Sequence, residues 1–165
     1  MDAERQTFLE LVDRHGATVL AMLRRLCGNP HDADDVFQEV AARVWLNLKS
    51  LPRLRSPRAW LLTIAYRQFI NHRARHPLHV PLLDHDAAER DVWAVDPARL
   101  AERSEETRVL DEAVQRLPET LRSIIVLHYT GGLSLRETAQ VVGVSVGTVK
   151  SRLNTSLAQL RRRLS

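Results

Sequence analysis

The densest run of side chains able to ligate a metal is His31-Asp32-Ala33-Asp34-Asp35. Adjacent His and Asp of this kind hold metal ions in phosphohydrolases, but such a site needs further ligands converging from other elements. The remaining histidines, at 15, 72, 76, 79, 85 and 128, form no supporting spaced set. Cys27 is the only cysteine, which excludes an intramolecular disulfide and any multi-cysteine zinc site and leaves it the reading of a small core residue. The acids of the run follow Asn29-Pro30, a cap and first helical position, where negative charge complements the helix dipole. The chain has no GxxxxGK[ST], GxSxG or GxGxxG pattern. No catalytic residue, metal or cofactor is expected, and the chain does not read as an enzyme.

A second set of polar residues is placed for nucleic-acid binding. Thr148, Lys150, Ser151, Arg152, Asn154 and Thr155 fall in the first turns of a helix whose apolar positions are Val149, Leu153, Leu157, Leu160 and Leu164. Ahead of it, Ser134 and Glu137 make a capping-box pattern, Gly143 suits a left-handed helix end, and Ser145 is placed to cap the second helix. Two capped helices joined by a short turn, the second with a basic and polar face, read as a helix-turn-helix whose recognition helix meets the major groove. A helical hairpin with solvated charges is the competing reading.

The elements upstream are helical too. Residues 5–27 show helical periodicity, with Gly16 as a possible break and Gly28 as a stop. Pro30 opens a helix with Val36, Phe37, Val40, Val44 and Leu48 on one side and Asp35, Gln38, Glu39 and Arg43 opposite, Glu39 and Arg43 being spaced to pair. After the proline-bounded stretch LKSLPRLRSP, Ser56-Pro57 opens a third helix. Trp60, Leu61, Ile64 and Ala65 lie on one side of it, and Arg58, Arg67, Gln68, Asn71, Arg73 and Arg75 cover the rest. Tyr66 and Phe69 either flank that basic surface, where aromatics can stack unpaired bases, or complete the core. The pattern fails over residues 76–101 and returns near Glu102. Pro118 starts a further helix that ends at Gly131-Gly132.

The expected architecture is all-α: two small helical domains, at 1–76 and 102–165, joined by a flexible linker at 77–101, the second domain containing the helix-turn-helix. The charge is divided in the same way. Residues 1–76 hold 12 basic against 8 acidic side chains, residues 77–107 hold 3 against 8, and residues 108–165 hold 9 against 4. Two basic blocks thus flank an acidic connector, and the overall +4 with a pI near 10.0 favours a polyanion as partner. No apolar run approaches the roughly 20 residues of a membrane helix. The N-terminus carries acids where a signal peptide needs an apolar stretch, so a cytoplasmic location without membrane insertion is expected.

Taken in order, DADDVFQEVAARVW, SPRAWLLTIAYRQFINHRAR and LPETLRSIIVLHYTGGLSLRETAQVVGVSVGTVKSRL resemble the bacterial sigma factors of the extracytoplasmic-function group. The resemblance implies two helical domains that bind core RNA polymerase and direct it to promoter DNA, with no catalytic site. By position, Asp35, Gln38 and Glu39 match the face that docks on the beta-prime clamp helices. Arg55, Arg58, Arg67, Gln68 and Asn71 lie in the part that opens and reads the minus-ten element. Thr148, Lys150, Ser151, Arg152, Asn154 and Thr155 lie in the helix that reads the minus-thirty-five element. The second domain is expected on the beta flap, and an anti-sigma factor is a family expectation. Arg67, Asn71 and Thr155 depart from the residues common in the family. A stand-alone helix-turn-helix regulator would account for residues 102–165 but leaves DADDVFQEV and the basic third helix without a role.

Overall fold

The computed structural model describes residues 2–76 and 105–165. The expected linker at 77–101 lies outside them, as do residues 102–104. All regular elements among the described residues are helical. The first unit comprises α1 (Asp2–Cys27), α2 (Pro30–Leu46), a 3-10 helix (Leu48–Arg53) and α3 (Pro57–Arg75).

α1 runs through Gly16 without a break. A glycine costs a helix only about 1 kcal/mol relative to alanine, and the apolar stripe of Leu11, Val19, Met22, Leu23 and Leu26 buried on the other helices outweighs that. Gly28, at φ 80°, ends the helix, and its N–H donates to the Arg24 carbonyl. Asn29 then caps α2, accepting from the Asp32 N–H at 2.8 Å, with Pro30 in the first position. α2 buries Ala33, Val36, Val40 and Val44.

The stretch 48–53, expected as a plain connection, forms the 3-10 helix and buries Leu48. Ser56 and Pro57 repeat the cap and first position for α3, the Ser56 hydroxyl accepting from the Ala59 N–H at 3.1 Å. The buried stripe of α3 is Leu61, Leu62, Ala65, Phe69 and His72, whereas Trp60 and Ile64 sit half-buried at the edge of the core. Phe69 is only 1% exposed and Tyr66 is half-buried against it, so Phe69 belongs to the core and is not available to stack a base.

The second unit comprises α4 (Glu105–Gln115), α5 (Glu119–Ile125), a single π-helical turn (Val126–Thr130), α6 (Leu135–Val142) and α7 (Val146–Leu164). The π turn closes with the Gly131 N–H on the Val126 carbonyl at 2.9 Å. At Gly131 a Cβ would lie 2.6 Å from the Leu127 carbonyl oxygen and 3.2 Å from Leu62 of α3, so only glycine fits. That contact is part of a wider docking. α1 packs on α4, α5 and the π turn, and the buried side chains of both units form one cluster.

Candidate nucleic-acid interface and polymerase-docking face

The helix-turn-helix forms as its caps require. The Ser134 hydroxyl accepts from the Glu137 N–H and the Glu137 carboxylate accepts from the Ser134 N–H, both at 3.0 Å. Gly143 adopts φ 79°, and its N–H donates to the Ala139 carbonyl at 2.9 Å. Ser145 caps α7 by accepting from the Thr148 N–H at 3.1 Å. The α7 stripe is Val149, Leu153 and Leu160 buried, with Leu157 half-buried. Leu164 is exposed, as is the whole last turn. Ser156, which the sequence did not single out, is fully buried.

On the opposite face Lys150, Ser151, Asn154 and Thr155 are exposed and Arg152 is half-exposed. Lys150 and Arg152 have no side-chain partner among the described residues, so their charged groups are unspent. Thr155 Oγ1 donates to the Ser151 carbonyl at 3.1 Å, and half-buried Thr148 sets its hydroxyl 2.9 Å from that of Ser145. Thr148 therefore serves the cap first, and the side chains left without a partner on this face, among the described residues, are Lys150, Ser151, Arg152 and Asn154. Arg161, Arg162 and Arg163 are exposed in the last turn, about 16 Å along the helix from Lys150.

The five residues of the expected minus-ten set fall in two groups, one at the start of α3 and one further along it. Arg55 and Arg58 line an open groove of roughly 400 Å³ with Thr7, Glu10, Arg14 and His15 of α1. Burial first, then the positive charges of Arg14 and Arg58, hold the His15 imidazole below its ordinary pKa. Arg14 thus adds positive charge to this groove, and His15 lines it with a ring held toward its neutral form. Sequence reasoning missed them because they lie some forty residues upstream on a helix read only for its apolar stripe. Arg58 also donates to the Gly132 carbonyl. About 14 Å further along α3, Arg67 and Asn71 are exposed on one face, one turn apart, with Gln68 half-buried beside them. Arg67 has no partner among the described residues.

Asp35 and Gln38 are exposed and Glu39 is half-buried, and the three share a groove with His72, Arg75 and His76. Glu39 accepts two hydrogen bonds from Arg75 Nη2, both at 2.9 Å. The expected Glu39–Arg43 pair does not form, because Arg75 at the end of α3 reaches the carboxylate from across the groove. No group of three His, Cys, Asp or Glu side chains among the described residues is placed to hold a metal ion, the HDADD run included. No described helix is long and apolar enough to cross a membrane.

This geometry belongs to a known family. The Sigma-70 region 2 profile matches residues 11–77 and the Sigma-70, region 4 profile matches residues 107–160. The chain is 28% identical over 171 residues to the ECF RNA polymerase sigma factor SigW of Bacillus subtilis, covering 98% of this chain and 90% of that one. Among solved structures it is similar to CnrH in complex with the cytosolic domain of CnrY, at 28% identity and a TM-score of 0.68, covering 97% of this chain and 88% of that one. The fold also matches the sigma factor RpoE from Bartonella quintana, solved with the anti-sigma factor NepR, at 23% identity, a TM-score of 0.74 and coverage of 99% and 98%. With both region profiles matched in order and relatives aligned over nearly the whole length, the chain belongs to the sigma-70 family of RNA polymerase sigma factors, in its extracytoplasmic-function group.

Proposed function

We propose that this promoter-directing sigma factor divides its work as follows. Lys150, Ser151, Arg152 and Asn154 of α7 read the minus-thirty-five element in the major groove, with Thr148 and Thr155 supporting the turn that presents them. Arg67, Gln68 and Asn71 meet the minus-ten element from one end of α3, and Arg55 and Arg58 from the other. The groove edged by Asp35, Gln38 and Glu39 takes the beta-prime clamp helices of core polymerase, and the second unit rests on the beta flap. The observation that carries the reading is the cap-turn-cap unit, which sets Lys150 and Arg152, both without a side-chain partner among the described residues, on the outer face of a helix anchored by Val149 and Leu153.

The protein then works in the cytoplasm and without a catalytic site of its own. Because CnrH was solved with the cytosolic domain of CnrY, a regulatory protein partner of the anti-sigma kind belongs to the same proposal. Run-off transcription with purified core polymerase tests it. Transcripts should start at defined promoters only when this chain and core are both present. A chain that binds the same DNA sites equally well without core, and directs no initiation with it, would instead be a stand-alone regulator.

A further inference from the structure

The two units meet along a seam edged by arginines. Arg25 of α1 donates from Nε to Asp111 Oδ1 at 3.0 Å and from Nη1 to Thr130 Oγ1 at 2.7 Å. Its carbonyl accepts from Gln115 Nε2 at 2.6 Å. Arg73 of α3 meets Glu119 of α5 at 2.8 Å, and Arg58 holds the Gly132 carbonyl. A Cβ on Gly132 would lie 3.1 Å from the Arg58 guanidinium, so the glycine leaves room for this contact.

Behind this rim lies Arg122 of α5, only 6% exposed. Its Nη1 donates to the Gln115 carbonyl at 3.0 Å, but its Nε is buried with no hydrogen-bond partner, and so is Gln115 Oε1. Burial, and then the like charge of Arg73, depress its pKa, while Glu119 and Cys27 act in the opposite direction. Glu119, whose charge favours that of Arg122, is already bonded to Arg73. A buried, partly bonded cation penalises the state that buries it. Of the groups of the first unit that face Arg122, Arg73 opposes its charge and Cys27 favours it, so the part of the penalty that comes from Arg73 exists only while the units are docked.

The proposed promoter contacts also require the seam to part. The two promoter elements are about 25 base pairs apart by name, or about 85 Å at ~3.4 Å per pair. Arg152 can lie no more than about 45 Å along the chain from Gly132, which touches Arg58, and Asn71 lies only about 20 Å further along α3. The chain between His76 and Glu105, about 30 peptide units, reaches up to roughly 100 Å when extended. Docked, the protein is too short to read both elements; parted, it is long enough.

We propose that Arg122 is a built-in release for this seam: the rim bonds of Arg25, Arg58 and Arg73 align the docked units, and the half-bonded Arg122 keeps the docked state shallow enough for polymerase and promoter to part them. The proposal rests on the division of promoter work given above.

The test compares the full-length wild type with Arg122→Met and Arg122→Gln. Small-angle X-ray scattering measures the fraction of open molecules, titration measures the affinity for core polymerase, and circular dichroism checks helicity. Both variants should be more compact than wild type, and their apparent Kd for core should rise by the factor by which the open fraction falls, on the order of tenfold. Arg25→Ala, which removes rim bonds, should shift both readings the other way. Arg122 variants that stay folded and are unchanged or expanded would overturn the proposal. Should both fail to fold, Arg25→Ala decides, since unchanged dimensions there would remove the rim and with it the release. The scattering needs no polymerase, so a wild type that fails to bind core defeats the promoter assignments while the release is still judged on dimensions.

Discussion

The Ser156 hydroxyl of α7 lies 3.2 Å from the Leu121 carbonyl oxygen of α5 and 2.8 Å from the Arg152 carbonyl oxygen of its own helix. Fully buried, it ties α7 to α5 one turn after Arg152, fixing the rotation that presents Lys150 and Arg152 outward.

Ser156→Ala should therefore cost about 1 kcal/mol of stability, the usual net value of one such bond. Ser156→Leu should cost more, about 1–3 kcal/mol, because a larger side chain must enter a fully buried position between two helices. Denaturant unfolding of both variants checks the order, and a leucine variant as stable as wild type would mean the two helices are not closely packed there.

Two glycines separate backbone strain from steric exclusion. Gly143 has φ 79°, and a Cβ added there would meet nothing within 4 Å, so Gly143→Ala should lose only the left-handed penalty of about 1–2 kcal/mol. Gly131→Ala drives a methyl into the Leu127 carbonyl and Leu62 and should cost distinctly more. Thermal melts of the two variants rank them.

The caps explain how much of the fold was legible. Asn29-Pro30, Ser56-Pro57, Ser134 with Glu137, Gly143 and Ser145 are local signals, each satisfied within three or four residues, and each holds in the structure. What could not be read depends on residues distant in sequence. Arg75 takes Glu39 from Arg43, Phe69 turns into the core, and Arg14 and His15 join Arg55 and Arg58 in one groove. Gly131-Gly132 read as a helix stop. Their close fit to Leu62 and Arg58 depends on how the units dock, which no local pattern encodes.

Replacing Asp35, Gln38 and Glu39 with alanine should weaken core-polymerase binding while leaving the melting temperature nearly unchanged. Asp35 and Gln38 are exposed, and the Glu39–Arg75 pair is solvent-facing, so the stability change should stay near 0.5–1 kcal/mol. Unchanged affinity for core would remove this face from the docking assignment.

Cys27 makes the alkaline limb of the stability curve testable. Burial, aided by Asp32, pushes its thiol up to about 12 from an ordinary value of 9.0. The folded state thus keeps a proton that the unfolded chain releases. Stability is fully present below pH 9 and is lost between pH 9 and 12, with a slope of up to about 1.4 kcal/mol per pH unit. Cys27→Ala should flatten that loss, as read from denaturant midpoints across the range. An identical alkaline slope in the two proteins would show that the thiolate is not excluded.

The central claim, that the exposed face of α7 reads the minus-thirty-five element, is tested most directly by selecting promoters from a randomised library with holoenzyme carrying wild type, Arg152→Ala, or alanines at Arg161, Arg162 and Arg163. Arg152→Ala should relax the minus-thirty-five preference, costing about 1–3 kcal/mol at the affected base pair, and leave the minus-ten preference intact. The triple arginine variant should weaken all sites alike and reduce the salt slope by up to about 0.9 per lost phosphate contact. A minus-thirty-five preference that survives Arg152→Ala and disappears with the three terminal arginines would contradict the account.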